Sequence, residues 1–123
     1  MSLVDQGFSI GGHSHDHPLY STLSLAEQLD QTRKSMNFLG TRFAARPKTF
    51  AFPHSDNGVT DAFFAAVFSE NLLDVSFGTG GLVTHFHPRN IERIGMEKTP
   101  NPASRILAHQ FMRATYFRFR KVK

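Results

Sequence analysis

Short strand-like runs alternate with helical ones along this chain, and that alternation narrows the fold more than any other feature. Phe8-Ser9-Ile10 alternates apolar with polar, the strand period, until Gly11-Gly12 breaks it. Ser24-Leu25-Ala26-Glu27 reads as a capping box. Leu25, Leu29, Thr32, Met36 and Leu39 then recur at helical spacing, with Gly40 as a stop. Lys48 to Phe52 predicts a second strand, ended by Pro53, and Thr60 and Asp61 open a helix that runs through Phe68. Leu72 to Phe77 predicts a third strand, followed by a loop rich in glycine from Gly78 to Gly81, and Ile91 to Gly95 a fourth. Asn101-Pro102 opens a last helix. This order predicts an α/β fold with right-handed crossovers. The chain has 123 residues, with no internal repeat and no linker, so a single domain over 1–123 is expected.

In such a sheet the chemistry gathers at the carboxyl ends of the strands. Two polar clusters fall there, residues 13–17 and residues 53–58. The first, Gly12-His13-Ser14-His15-Asp16-His17-Pro18, holds three histidines, and neutral imidazole is the commonest protein ligand of zinc and related metals. On an extended strand His13 and His17 would lie about 13 Å apart, too far to share an ion. A helix is disfavoured by Pro18 and by the double glycine. A tight turn remains, which folds His13 and His17 onto one point and turns His15 elsewhere. The metallo-β-lactamase spacing, His-x-His-x-Asp-His, fails here by one residue. The amidohydrolase pair His-x-His is met by His13 and His15, with His85 and His87 as the downstream histidines on offer.

Composition excludes several classes. There are no cysteines, so no disulfide scaffold, thiolate zinc site or cysteine nucleophile is available. The longest apolar run, Ala62 to Phe68, is too short for a membrane span of about 18 residues. The net charge of +4 is local: residues 111–123 carry Arg113, Arg118, Arg120, Lys121 and Lys123 and no acid, leaving the other 110 residues at −1. A nucleic-acid footprint beyond that tail is not expected. The tail suits the dipole of a helix end and could also touch nucleic acid or anionic lipid. Gly78-Thr79-Gly80-Gly81 fits neither dinucleotide nor P-loop spacing.

The run from Gly7 to His13-Ser14-x-x-His17-Pro18, with its capped helix after Ser24, resembles the second motif of the polysaccharide deacetylases (the NodB-homology proteins, carbohydrate esterase family four). Phe50-Ala51-Phe52-Pro53-His54-Ser55 resembles their third motif. The likeness runs more loosely through Leu73 to Gly81 and Ile91-Glu92-Arg93-Ile94, and so covers about residues 4–95.

The resemblance implies a distorted (β/α) barrel, present here in part and without its first strands. It implies metal-dependent deacetylation of an acetylated polysaccharide, at a C–N amide or ester bond. His13 and His17 would be metal ligands, usually to zinc, with Ser14 holding the turn. Phe52, Pro53 and His54 would line the substrate groove, and the His54 backbone N–H would help hold the oxyanion. The family arginine that orients the catalytic aspartate matches Ala51, so that role is unfilled, and Ser55 replaces the motif glycine. The family's Asp-Asp motif, source of the general base and of a metal ligand, is absent from this sequence. Asp16 and Asp56 are the nearby candidates for the third ligand, with water or a second chain as substitutes. The expectation is therefore a truncated, inactive or impaired domain that buries its open edge by dimerising or by swapping elements. The alternative is a non-catalytic module of the same fold, binding glycan or a partner.

Overall fold

The computed structural model describes residues 2–43, 47–82, 87–96 and 100–120, with side chains to residue 116 in the last helix. A single turn of 3₁₀-helix, Tyr20–Thr22, precedes helix α1 (Leu25–Phe43). Strand β1 (Thr49–Ala51), helix α2 (Asp61–Ser69), strand β2 (Val75–Gly78), strand β3 (Asn90–Glu92) and helix α3 (Ala103–Arg120) follow. The three strands form one parallel sheet in the order β1-β2-β3. Phe50 pairs with Ser76 and Phe77 with Ile91. The α/β reading with a parallel sheet therefore holds, while three strands do not by themselves define a barrel.

The capping box is formed: the Ser24 N–H and hydroxyl both donate to a Glu27 carboxylate oxygen, at 2.8 and 2.6 Å. The helix does not stop at Gly40 but continues to Phe43. A glycine inside a helix costs only about 1 kcal/mol, and buried Met36 and Leu39 already hold this end to the core. The expected strand at Phe8–Ile10 is not formed. Only Gly12 pairs, by an isolated parallel bridge to Phe50. Its N–H donates to Thr49 O at 2.8 Å and its carbonyl accepts from Ala51 N at 2.9 Å. Gly12 is buried beneath α1, and a Cβ there would come within 2.7 Å of Met36 Sδ. The double glycine thus lets the chain slide between helix and sheet, rather than merely ending a strand.

The core is built of aromatic rings. Tyr20, Phe50, Phe52, Phe63 and Phe64 are all at most 1% exposed, closed by Val67, Phe68 and Leu73. Tyr20 packs edge-on against Phe52 and Phe63 at 5.2 and 5.8 Å, geometry the ring quadrupoles favour. Its hydroxyl pairs with Thr32 at 3.0 Å, and burial pushes the phenol up to about 12. Tyr20 lies three residues beyond His17, so this core contact anchors the histidine loop from behind. The packed element pairs are β1 with β2, β2 with β3, and α1 with α2. No described helix is long and apolar enough to cross a membrane.

Candidate functional site

The histidine loop leaves the sheet beside the carboxyl end of β1. Ser14 and His17 both adopt left-handed backbone, φ 68° and 58°. Two such residues in four reverse the chain sharply, and the Ser14 hydroxyl closes the reversal by accepting from His17 N–H at 3.0 Å. The turn brings His13 Nε2 and His17 Nε2 to 3.1 Å. Two nitrogens each about 2 Å from one tetrahedral ion lie about 3.3 Å from each other, so the spacing suits a shared cation. His13 Nδ1 lies 2.7 Å from the Ala51 carbonyl oxygen. That oxygen can only accept, so Nδ1 carries the hydrogen, and in the neutral ring the lone pair is left on Nε2, aimed at His17.

His15 points elsewhere, its Nε2 3.8 Å from Asp16 Oδ1. Gln31 of α1 accepts from the His15 and Asp16 N–H groups at 3.1 and 2.9 Å and donates to Asp16 Oδ2 at 2.8 Å. Asp16 is thereby held against the helix. The His13–His15 pairing of the amidohydrolase pattern is not what the turn brings together.

After β1 the chain turns through Pro53 and His54. Phe52 and Pro53 are buried, Phe52 in the aromatic core, whereas His54 is exposed. His54 is also left-handed, φ 55°, and its ring stands edge-on to His17 at 4.5 Å between centroids. Three imidazoles, His13, His17 and His54, therefore share one exposed face. Among the described residues no group of three His, Asp or Glu is arranged to hold a metal ion. The site offers two converging nitrogens. Asp56 does not join them.

Asp56 is instead buried at the ends of β2 and β3. Its carboxylate accepts from Thr79 N–H at 2.9 Å and from Asn90 Nδ2 at 3.0 Å, and shares a side-chain hydrogen bond with Glu92. Asn90 also donates to Glu92 at 3.0 Å and accepts from the Ser76 hydroxyl at 2.7 Å, and Gly80 N–H donates to Glu92. Burial pushes the Asp56 carboxyl up, but the hydrogen bonds from Thr79, Glu92 and Asn90 outweigh it and hold Asp56 below the usual carboxylate value. The Thr79 and Gly80 N–H groups are thus turned onto carboxylates and the Gly81 N–H onto the Arg93 carbonyl, which leaves no phosphate cradle there. Arg93 clips the ends of β1 and β2 together: its Nε donates to Gly78 O at 3.0 Å and its Nη2 to Phe52 O at 3.2 Å.

His87 lies away from the site, stacked on Phe68 and Phe64 at 4.6 and 5.4 Å, with Arg89 over the Phe68 ring. His85, Lys121 and Lys123 lie outside the described residues. The network of Asp56, Asn90, Glu92 and Ser76 is not legible in the sequence. Its one signal is polar: Ser76 and Asn90 occupy strand positions that would otherwise be apolar.

The paired imidazoles stand on a Ser-closed turn at the carboxyl edge of a parallel sheet, where α/β proteins gather their functional groups. Residues 1–67, more than half of the chain, match the family described as polysaccharide deacetylase, and the chain belongs to that family. The match contains both histidine-bearing segments, residues 13–17 and 50–55. No curated protein and no solved structure matches the chain.

Proposed function

We propose that this chain is the metal-binding part of a metal-dependent deacetylase of acetylated polysaccharide, with His13 and His17 holding a divalent cation, zinc. The reading is carried by the 3.1 Å approach of the two Nε2 atoms, with His13 locked in the tautomer a cation requires. A cation bound there supplies Lewis-acid polarisation of an acetyl carbonyl and acidifies bound water. The chain's own contribution is orientation. The Ala51 carbonyl fixes the His13 ring, and Ser14 fixes the turn. Of the three residues expected to line a substrate groove, Phe52 and Pro53 are buried and only His54 is exposed; in this reading His54 would meet the substrate and its backbone N–H would serve a developing oxyanion.

General-base catalysis needs an accessible carboxylate beside the water. The family's Asp-Asp pair is absent from this sequence, while Asp16 and Asp56 are engaged by Gln31 and by the buried network. The chain alone should therefore bind metal and turn over slowly or not at all. The same observation favours a second reading, a module of this fold that binds glycan without chemistry.

Calorimetric zinc titration of the chain and of His17→Ala, with acetate release from acetylated chito-oligosaccharide measured in parallel, tests the first reading. One zinc per chain, lost in the variant, supports it. Absence of zinc binding overturns the metal role. Oligosaccharide binding that then persists in chelator supports the second reading.

A further inference from the structure

We propose that α3 is a docking helix for an anionic lipid surface, an inference independent of the deacetylase reading. The helix stands outside the aromatic core, to which no described residue of it contributes. Residues three and four apart share a helix face, and the faces of α3 differ sharply. Ile106, Gln110 and Ala114 form one row, each half-buried, with the Gln110 side chain lying against Gly81. That row is the inner face. The outer surface carries Met112 and Tyr116 on one row, 65% and 58% exposed, and Phe111 nearby at 61%. Arg105 lies on the same side of the helix as Met112 and Tyr116, and His109 and Arg113, four residues apart in turn, step from there toward the inner row.

Phe111 and Met112, this exposed on one helix, call for a partner, and the charge says which. Residues 101–123 contain Arg105, Arg113, Arg118, Arg120, Lys121 and Lys123 and no Asp or Glu, whereas residues 1–100 sum to −2. The excess of positive charge therefore belongs to residues 101–123. A helix that combines exposed Phe and Met with adjacent arginines and no acids suits the boundary between lipid headgroups and acyl chains. There the apolar side chains insert shallowly and the guanidinium groups meet phosphates. Duplex nucleic acid would use the charges but leave Phe111 and Met112 in water, which makes it the poorer partner.

The test is sedimentation of the full chain with vesicles of phosphatidylcholine alone and of phosphatidylcholine mixed equally with phosphatidylglycerol. The chain should partition onto the anionic vesicles only, and added salt should weaken it. Phe111→Ser with Met112→Ser, and separately Arg105→Gln with Arg113→Gln, should each lower that partition on the order of tenfold. Because these side chains are exposed, far-ultraviolet circular dichroism should show both variants folded. Equal binding to both vesicle types, no binding to either, or binding indifferent to both pairs of substitutions would overturn the proposal. So would duplex DNA that strips the chain from vesicles, or self-association in solution that the same substitutions abolish.

Discussion

The histidine loop and the Asp56 network occupy the same carboxyl edge of the sheet, yet they are held in opposite ways. His13, His17 and His54 are exposed, and His17 and His54 sit in left-handed backbone along with Ser14. Their order comes from a few hydrogen bonds to Ser14 and Ala51, and from Tyr20 anchoring the chain behind them. Asp56, Asn90 and Ser76 are buried and bonded to one another, and nothing about their backbone is unusual. Left-handed backbone clustered beside converging imidazoles marks a candidate site, whereas exposed Asn71, equally left-handed, simply follows the end of α2; a satisfied buried network acts as a brace. Arg93 ties the Gly78 carbonyl of β2 to that of Phe52, the strand end from which His54 departs.

The largest effects should separate the two. Asp56→Ala orphans the Thr79 N–H and an Asn90 donor in the interior and should cost about 3 kcal/mol, read from urea unfolding. His13→Ala removes an exposed ring and should cost under about 1 kcal/mol, while lowering zinc affinity at least about a hundredfold, beyond what loss of a supporting hydrogen bond does. If both variants lose stability equally, the distinction between site and brace is broken. Next in size is Gly78→Ala. A Cβ there would run into the Asp56 and Glu92 carboxyl oxygens, backed by buried neighbours. It should cost about 2 kcal/mol as an overpacking change, with zinc binding retained.

The two regions also differ in how far the sequence reveals them. Ser14, His17 and Pro18 define a turn within five residues, and Ser24 meets Glu27 within four, so local chemistry suffices. Phe50 and Phe63 are legible as core because strand and helix periods mark them. The Asp56 network joins residues 34 and 36 positions apart, and only the parallel register that sets Phe77 beside Ile91 brings them together. No pattern along the chain encodes that register. Phe8–Ile10 failed for the opposite reason: three alternating residues are too few to specify a strand, and Phe8 remains 60% exposed. The ring contact between His17 and His54 belongs to both kinds, since each turn is local while their meeting depends on Gly12 pairing with Phe50.

Acid should weaken the brace. Asp56 is held below the usual carboxylate value in the folded chain, so on acidification the unfolded chain takes up this proton first. The stability Asp56 contributes is therefore present above about pH 4, the ordinary carboxylate value, and is lost as pH falls through its lower folded-state value. Asp56→Asn should flatten that acid limb in a pH series of unfolding curves. An unchanged limb would assign it to other carboxylates.

The smallest effect tests the strain itself. At φ 55° a side chain with a Cβ crowds its own backbone, a penalty of about 1 kcal/mol that glycine does not incur. Glycine gives back part of that gain through the freer unfolded chain. The informative comparison is therefore between two variants that both lack the imidazole. His54→Gly should be more stable than His54→Ala by up to about 1 kcal/mol, measured in paired unfolding curves. A gap of that sign shows that the loop holds His54 against its backbone preference, as expected if neighbouring structure dictates the position. Equal stability would mean that the left-handed conformation follows the imidazole, through its contact with His17, and the turn after β1 would then be shaped by the site rather than by the brace.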